Sequence, residues 1–251
     1  CFPIKKLQEI LNQELSDIFI GIDYTEAIGA KKYEPPITFK NGETEGLFPS
    51  HIIPKTDETR IQNDPDFYIN KFWGKPYAIT VKLDGTSATF GFDEKFFACS
   101  RNLMVREGDN VYWNIAHKYN IPELLEWRPE YVIQGEIVGP GIQKNHLGLN
   151  EIDFYVFRVY DRSQKRYLFN NEINVVCGFM GLKQVPVLEM GNNFKDDMDS
   201  LLKLAEGKYN GTQNEREGIV VNLEEEDPTQ FGGWLSFKVI SNRFLIKNSY
   251  A

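Results

Sequence analysis

Cysteine and histidine are scarce in this sequence of 251 residues, which contains three of each. The three cysteines (Cys1, Cys99 and Cys177) are odd in number and widely spaced. This pattern favours reduced thiols and an intracellular protein over a disulfide scaffold. The histidines are scattered and have no metal-ligand spacing. The sequence therefore predicts neither a zinc site nor a cysteine–histidine nucleophile pair.

Long apolar runs and an excess of positive charge are also missing. No run is long enough to span a bilayer and no signal peptide opens the chain, so no membrane partner is expected. The net charge is −8, from 28 Lys and Arg against 36 Asp and Glu. This balance excludes a diffuse basic surface for nucleic acid but not a local groove. The chain does not begin with Met, and we expect a fragment of a longer protein.

The composition changes near residue 46. Residues 3–18 carry apolar side chains at helical spacing, which predicts a helix. Residues 33–49 contain Pro35-Pro36 and Asn41-Gly42, which break regular structure. We therefore predict that residues 1–46 form an N-terminal helix and linker, and that residues 47–251 form one compact domain.

Short β-like runs dominate the predicted domain. They read YAITVKL, SATFGF, KFFACS, YVIQGEIV, DFYVFRVYD, GIVVNL and WLSFKVI. Helices are predicted for residues 109–119 and 195–208. Because strands and helices do not alternate regularly, we predict an α+β fold of mainly antiparallel sheets with flanking helices, not a doubly wound parallel sheet.

Lys82 lies inside the strand-like run TVKLDGT. Side chains alternate across a strand, so Lys82 and Asp84 project from the same face. Gly85 then admits the close approach of a backbone or a ligand. One interpretation is a lysine that extends to water. The other is a nucleophile whose pKa is lowered by burial or by nearby positive charge, such as a metal ion held by Asp84.

Five later segments each place a charged or aromatic residue in or beside a predicted strand. They are Arg101 in SRN, Glu136 in QGEIVGPGIQKN, Phe157 in DFYVFRVYD, Glu217 in REGIVVNL and Lys238 in WLSFKVI. Taken singly, the glutamates are typical solvated strand-end carboxylates, Phe157 a core residue and Lys238 a lysine that extends to water. Taken in order after Lys82, they resemble the six motifs of covalent nucleotidyltransferases, which are polynucleotide ligases and mRNA capping enzymes.

Two further stretches narrow the resemblance. GEIVGPGIQKN and DFYVFRVYD are similar to the RNA ligase 2-like branch, and YTEAIGAKKYEPP and FPSHIIPKTDETRIQN to members with an N-terminal OB domain. In that group the OB domain ends just before a CFPI-like stretch, so we expect it to lie outside this chain. The resemblance implies a monomer that acts on RNA, or on nicked duplexes with an RNA 3′-hydroxyl strand. Without the OB domain, we expect AMP uptake but poor sealing of nicks.

The resemblance implies a nucleophile and a metal site. Lys82 matches the lysine that attacks the α-phosphate of ATP and becomes lysyl-AMP. Asp84, Glu136 and Glu217 match acidic positions around a catalytic Mg²⁺ or Mn²⁺, with contacts through water. Glu136 is also a candidate to bind the ribose.

It also implies contacts to the nucleotide. Arg101 matches an arginine that contacts the ribose or the strand terminus at a nick. Phe157 matches the aromatic residue that stacks on adenine, and Lys238 a lysine that contacts the α-phosphate. We expect the adenine amino group to be read by backbone near Thr80 and Val81.

Arg60, in KTDETRIQN, extends this assignment. We expect it to orient the β- and γ-phosphates of ATP so that pyrophosphate leaves in line. The alternative is a surface ion pair with Asp57 or Glu58.

The last motif departs from the family pattern of lysine, any residue, lysine. Ser236 stands at the first lysine position, and only Lys238 remains. One phosphate contact is then missing, unless Arg243 or Lys247 compensates.

Two other functions share these features. A capping guanylyltransferase of the same fold would use GTP, although GPGIQKN is unlike that group. A catalytically inactive relative would bind nucleic acid without taking up a nucleotide, and Ser236 is the irregular motif position that such a protein would show.

Overall fold

The fold is taken from a computed structural model, which describes residues 4–12, 24, 28–29 and 43–249. The chain divides into two compact units, Cys1–Thr38 and Phe39–Ala251. In the first unit, helix α1 spans Ile4–Leu11. It confirms the start of the predicted N-terminal helix, while residues 13–18 lie outside the described residues.

The strands of the second unit are rich in β-branched and aromatic residues, which fit a pleated, half-buried surface. In chain order they are β1 (Thr44–Leu47), β2 (Thr59–Arg60), β3 (Tyr77–Lys82), β4 (Thr86–Asp93), β5 (Lys95–Cys99), β6 (Leu103–Val105), β7 (Tyr131–Val138), β8 (Asp153–Asp161), β9 (Arg166–Tyr167), β10 (Lys183–Gln184), β11 (Val187–Gly191), β12 (Gly218–Leu223) and β13 (Ser236–Ile240). Strands β7, β8 and β12 begin and end at the predicted residues.

These strands form two sheets. The eight-stranded sheet has the order β1-β6-β5-β4-β7-β8-β10, with β9 beside β8, and the five-stranded sheet has the order β11-β3-β12-β13-β2. Neighbours are antiparallel except for β10 beside β8 and β2 beside β13. This arrangement confirms the predicted α+β class. Since β1 pairs with β6, residues 44–46 belong to the large sheet, where the sequence predicted linker.

Six helices of the second unit flank the sheets. They are α2 (Pro65–Phe72), α3 (Val111–Lys118), α4 (Ile121–Trp127), α5 (Asn170–Met180), α6 (Met198–Ala205) and α7 (Asn242–Ser249). Helices α3 and α6 lie within the predicted ranges, whereas α2, α4, α5 and α7 were not predicted. Helix α2 has ordinary start signals that were overlooked: Pro65 opens it, and the Asp64 side chain accepts a hydrogen bond from the Phe67 N–H.

Three apolar clusters hold the sheets and helices together. The largest joins the eight-stranded sheet to α3, α4 and α5, and a second joins the five-stranded sheet to α2 and α6. The third lies between the sheets, where Val81 and Leu83 meet Val138, Val185 and Tyr209. Full burial of one such side chain contributes about 1.5–3 kcal/mol. The third cluster therefore fixes the spacing of the sheets along one wall of the cavity between them.

Candidate active site

A cavity of about 360 Å³ lies between the two sheets, within the usual size range of small-molecule sites. Its walls come from β3 and the turn after it, from β7 and β8, and from β12 and β13. All of the predicted site residues except Arg60 line it: Thr80, Val81, Lys82, Asp84, Arg101, Glu136, Phe157, Glu217 and Lys238. The fold thus brings together residues from six separate sequence segments.

Lys82 ends β3, and its Nζ lies 2.7 Å from Oε2 of Glu217. Gly218 stands opposite Lys82 on β12, and a Cβ there would lie 2.1 Å from the Val239 carbonyl oxygen. Burial, the largest single influence, lowers the pKa of Lys82, but the carboxyl groups of Glu217, Glu136 and Glu58 together outweigh it and raise the pKa. In this arrangement of charges Lys82 is an ammonium ion, and the lowering of its pKa by a nearby cation stays a prediction.

Glu136 faces the same cavity from β7. Burial raises the pKa of Glu136 to about 8. The Lys82 ammonium opposes the rise, whereas the carboxylates of Glu217, Glu58 and Asp84 add to it. Glu136 is therefore largely protonated at neutral pH. Such a concentration of carboxyl groups is the electrostatic complement of a bound cation.

Asp84 is held by a histidine that no sequence pattern indicated. Its Oδ2 lies 2.7 Å from Nδ1 of His146, in the segment between β7 and β8. The Phe244 ring packs edge-on against the imidazole at 5.3 Å, and the Asn214 side chain donates to the His146 carbonyl at 2.8 Å. Since 62 residues separate Asp84 from His146, only the fold makes this contact visible.

Tyr209 joins the two strands that carry the lysine and the glutamate. Its buried phenol donates to the Lys82 carbonyl at 3.0 Å. The same oxygen accepts the N–H groups of Asp84 and Glu217, each at 3.1 Å. One hydroxyl thus fixes the backbone on both sides of the Lys82–Glu217 pair. Nothing in the local sequence distinguished Tyr209 from a core tyrosine.

Gly85 is explained by packing of the backbone. A Cβ at this position would lie 2.3 Å from the carbonyl oxygen of Ile137 on β7. The carbonyl of Gly85 accepts a hydrogen bond from Nε2 of Gln143 at 3.1 Å. The close approach of the β7 backbone accounts for a glycine here, whereas close approach of the nucleotide, the reason that the motifs favour, stays a prediction.

Asp57 and Glu58 line the cavity just before β2 and pair with its cations. Asp57 reaches Nη2 of Arg101 at 3.2 Å and Nζ of Lys238 at 3.4 Å. Glu58 reaches Nη2 of Arg158 at 2.7 Å. A phosphate group entering the cavity would compete with these carboxylates for the same cations.

Comparison with known proteins assigns this site to a family. The sequence model of the family described as RNA ligase matches residues 75–240. The chain belongs to the RNA ligase family. No curated protein matches its sequence.

Solved structures of Naegleria gruberi RNA ligase match the whole length of this chain. A mutant with ATP and Mn is 31% identical, with a TM-score of 0.81, and the match covers 100% of this chain and 73% of that one. The enzyme with PPi is 32% identical, with a TM-score of 0.79 and coverages of 100% and 72%. A mutant with AMP and Mn is 31% identical, with a TM-score of 0.81, and the match covers 100% of this chain and 73% of that one.

Membership in the RNA ligase family confirms the resemblance drawn from the motifs and the predicted class of enzyme. The roles of individual residues stay predictions, as do the OB domain and the nicked substrate. Within the described ranges, no helix has both the length and the apolar character needed to cross a membrane.

The residues predicted to contact adenine differ in their hydrogen bonds and in their position at the cavity. Phe157 is partly buried on β8 and lines the cavity. The Val81 N–H donates to the Pro186 carbonyl at 2.8 Å. Thr80 Oγ1 donates to the carbonyl of Val220 at 3.3 Å. An amino group donates its hydrogens, so only a backbone carbonyl of this segment could accept from adenine, and that contact stays a prediction.

Arg60 lies beside the cavity and does not line it. It stands opposite Lys238 where β2 pairs with β13. Its Nε is buried and has no hydrogen-bond partner among the described residues. Asp57 and Glu58, the partners of the alternative interpretation, pair with other cations. The phosphate role of Arg60 stays a prediction.

Arg243 and Lys247 do not compensate for Ser236. Arg243 pairs with Glu206 at 3.0 Å, and Lys247 pairs with Glu215 at 3.1 Å. Neither of these cations lines the cavity. This part of the prediction is therefore wrong, because α7 directs both side chains toward carboxylates outside the cavity wall.

The carboxylates fit a hydrated divalent cation. Among the described residues, no three His, Cys, Asp or Glu side chains converge closely enough to hold a metal ion directly. Carboxylates are nevertheless the donors that Mg²⁺ prefers, and Mg²⁺ usually keeps several waters. Asp84, Glu136 and Glu217 share one cavity, so a metal held through water fits this donor set.

Proposed function

We propose that this chain is an ATP-dependent RNA ligase whose Lys82 becomes covalently adenylylated. ATP and a divalent cation, Mg²⁺ or Mn²⁺, are its cofactors. The N. gruberi structures named with ATP, AMP, PPi and Mn support this assignment. The observation that carries it is one cavity, whose lining includes Lys82, the carboxyl groups of Asp84, Glu136 and Glu217, and the cations Arg101 and Lys238. The nucleotidyltransferase domain comprises the predicted residues 47–251 together with residues 44–46, which pair in its large sheet.

In the first step, the neutral amine of Lys82 attacks the α-phosphorus of ATP. A bond forms between Nζ and phosphorus, and the bond to the pyrophosphate oxygen breaks. The amine must first lose a proton, and Glu217 at 2.7 Å is placed to accept it. A divalent cation bound through water among the carboxylates would offset their charge and favour the neutral amine.

The surrounding side chains bind and orient the nucleotide. Phe157 stacks on adenine, and Glu136 and Arg101 contact the ribose. Lys238 stabilises the charge that develops on the α-phosphate. Arg60, beside Lys238 at the edge of the sheet, orients the departing β- and γ-phosphates.

Two further transfers complete the reaction. The 5′-phosphate of an RNA strand displaces Lys82 from the adenylate, and AMP is then joined to that phosphate. A 3′-hydroxyl attacks the activated phosphate, which forms the phosphodiester and releases AMP. The preferred substrate is an intracellular nicked duplex whose 3′-hydroxyl strand ends in RNA, and the enzyme acts as a monomer.

Transfer of label from ATP tests the first step. With Mg²⁺, label in the α-phosphate should remain on the protein after denaturation, whereas label in the γ-phosphate should not. The bond should be acid-labile, as expected for a phosphoramidate. Lys82→Ala should abolish labelling. Lys95→Ala is the matched control, because Lys95 is exposed on β5 and does not line the cavity.

The same assay separates the alternatives. Labelling by GTP and not by ATP would identify a guanylyltransferase. RNA binding without labelling by either nucleotide would identify an inactive relative. Labelling of Lys82→Ala at the wild-type level would disprove the assignment of the nucleophile.

A further inference from the structure

Arg158 is a cavity residue that the scheme above does not use. It lies on β8, is only 8% exposed and lines the cavity. Its Nη2 donates to Glu58 at 2.7 Å and to Ser236 Oγ at 2.9 Å. The guanidinium also lies over the rings of Trp234, at 4.9 Å, and Tyr167, at 5.4 Å. These contacts hold a positive charge in one defined place.

Strand β13 determines the position of the Arg158 guanidinium. Ser236 and Lys238 are two residues apart on this strand, so they project from the same face about 7 Å apart. Lys238 lines the cavity. By donating to Ser236, Arg158 places its charge on the same face of β13, one side-chain position before Lys238.

The two cations come from different sheets. Lys238 extends from the five-stranded sheet and Arg158 from the eight-stranded sheet. The Trp234 indole N–H also donates to Ser236 Oγ, at 3.1 Å. The small hydroxyl of Ser236 thus serves as an anchor for Arg158, and a long side chain at that position would occupy the space of the guanidinium.

Burial alone does not account for Arg158. A cation that served only to join β8 to the rest of the core would be closed off from the cavity, but Arg158 and its partner Glu58 both line it. Glu58 already holds a carboxylate against the guanidinium, at the distance of a charge-assisted hydrogen bond. A phosphate oxygen has the same charge and the same acceptor geometry, and arginine recognises both groups.

We propose that Arg158 is a phosphate-binding residue of this cavity and supplies, beside Lys238, the positive charge that Ser236 lacks. The phosphate is carried by the nucleotide or by the adenylylated RNA end. The inference rests on the proposed ligase function.

Moving the positive charge from residue 158 to residue 236 tests this proposal. Arg158→Ala should slow AMP transfer from ATP and weaken ATP binding by about 10- to 100-fold, the range for loss of a charge-assisted hydrogen bond. Ser236→Lys alone should give no gain, because it crowds two cations together. The double variant Arg158→Ala with Ser236→Lys should recover at least tenfold over Arg158→Ala. A purely structural arginine predicts no recovery, and that result would overturn the proposal.

A second series of variants controls for misfolding. Thermal unfolding of each variant shows whether it folds. If Arg158→Ala does not, Arg158→Gln combined with Glu58→Gln removes both charges and keeps polar groups in place. Ser236→Lys is then added to that pair. A gain of less than twofold in ATP affinity on adding the lysine would contradict the proposal.

Two substrates distinguish the sources of the phosphate. AMP transfer from ATP reports on the nucleotide, and sealing of a 5′-adenylylated RNA at a nick reports on the RNA end. If Arg158→Ala slows one of these reactions and Ser236→Lys restores its rate, the proposal is supported and that reaction identifies the source of the phosphate. If Arg158→Ala slows neither reaction, the proposal is overturned. The ATP dissociation constant is measured independently of turnover, so it still decides the role of Arg158 if the wild-type chain transfers no AMP.

Discussion

Replacing Tyr209 by Phe isolates the effect of one buried hydroxyl on both stability and chemistry. The ring and its packing in the cluster between the sheets are retained. The change removes a hydrogen bond to the Lys82 carbonyl at 3.0 Å. It also leaves the N–H groups of Asp84 and Glu217 without the acceptor that they reach at 3.1 Å.

The expected loss of stability follows from these three contacts. Each buried N–H left without a partner costs about 1–3 kcal/mol. Both groups are only partly buried, so the lower half of that range applies to each, and the free energy of unfolding should fall by about 2–4 kcal/mol in total. For a domain of this size, that corresponds to a decrease of roughly 4–16 °C in Tm.

The chemical effect should be similar in size to the effect on folding, since each tenfold loss of rate corresponds to about 1.4 kcal/mol. Tyr209 fixes the backbone at Lys82 and at Glu217, whose side chains lie 2.7 Å apart. Because a displacement of about 1 Å at a reacting centre costs up to 100-fold, AMP transfer should slow by roughly 10- to 100-fold at a temperature where the variant is folded.

Urea unfolding and transfer of labelled AMP measure the two effects. Tyr131→Phe is the matched control, because the Tyr131 hydroxyl accepts from Arg128 and lies outside the cavity wall. If Tyr209→Phe is as stable and as active as Tyr131→Phe, then the hydroxyl does not organise the site and the reasoning fails.

Three further predictions concern other supports of the site. Glu136 is protonated in the folded chain up to about pH 8 but ionises near 4.5 when unfolded. Its contribution to stability therefore falls by roughly 3–5 kcal/mol as pH rises through that window. Glu136→Gln should reduce the dependence of the urea midpoint on pH between pH 5 and 8, and an unchanged dependence would contradict this. Arg216 donates to the carbonyls of Ala205 and Glu206 at the end of α6, so Arg216→Ala should lower the free energy of unfolding by about 2–4 kcal/mol, and an unchanged urea midpoint would exclude this role. His146→Ala should slow AMP transfer about tenfold by releasing the carboxylate 2.7 Å away, whereas equal rates in His146→Ala and the neighbouring Lys144→Ala would show that this contact is dispensable.

Local sequence was sufficient for much of the secondary structure. The short apolar runs YVIQGEIV and GIVVNL are rich in β-branched residues, which favour strands buried on both faces, so β7 and β12 were predicted to the residue. Helices α4 and α5 were missed, because their apolar faces are short and interrupted by polar residues. Tertiary packing against the large sheet stabilises them.

The candidate residues were likewise visible as ordered motifs, but their partners were not. Six ordered residues resembled the motifs of covalent nucleotidyltransferases: Lys82, Arg101, Glu136, Phe157, Glu217 and Lys238. The stretches GEIVGPGIQKN and DFYVFRVYD narrowed the resemblance to RNA ligases. The sign of the pKa shift at Lys82 depended on Glu217, which is 135 residues away. Coulombic effects act through space, so no local pattern predicts them.

The sequence by itself determined the fold class and the family, and it predicted most of the side chains that line the cavity, because periodicity and motif order are properties of the chain. Only the tertiary structure decided that Tyr209 and His146 support Lys82 and Asp84. It alone showed that Arg158 lies at the serine of the last motif. These are contacts between residues far apart in the chain, and they form only when two sheets close around a common cavity.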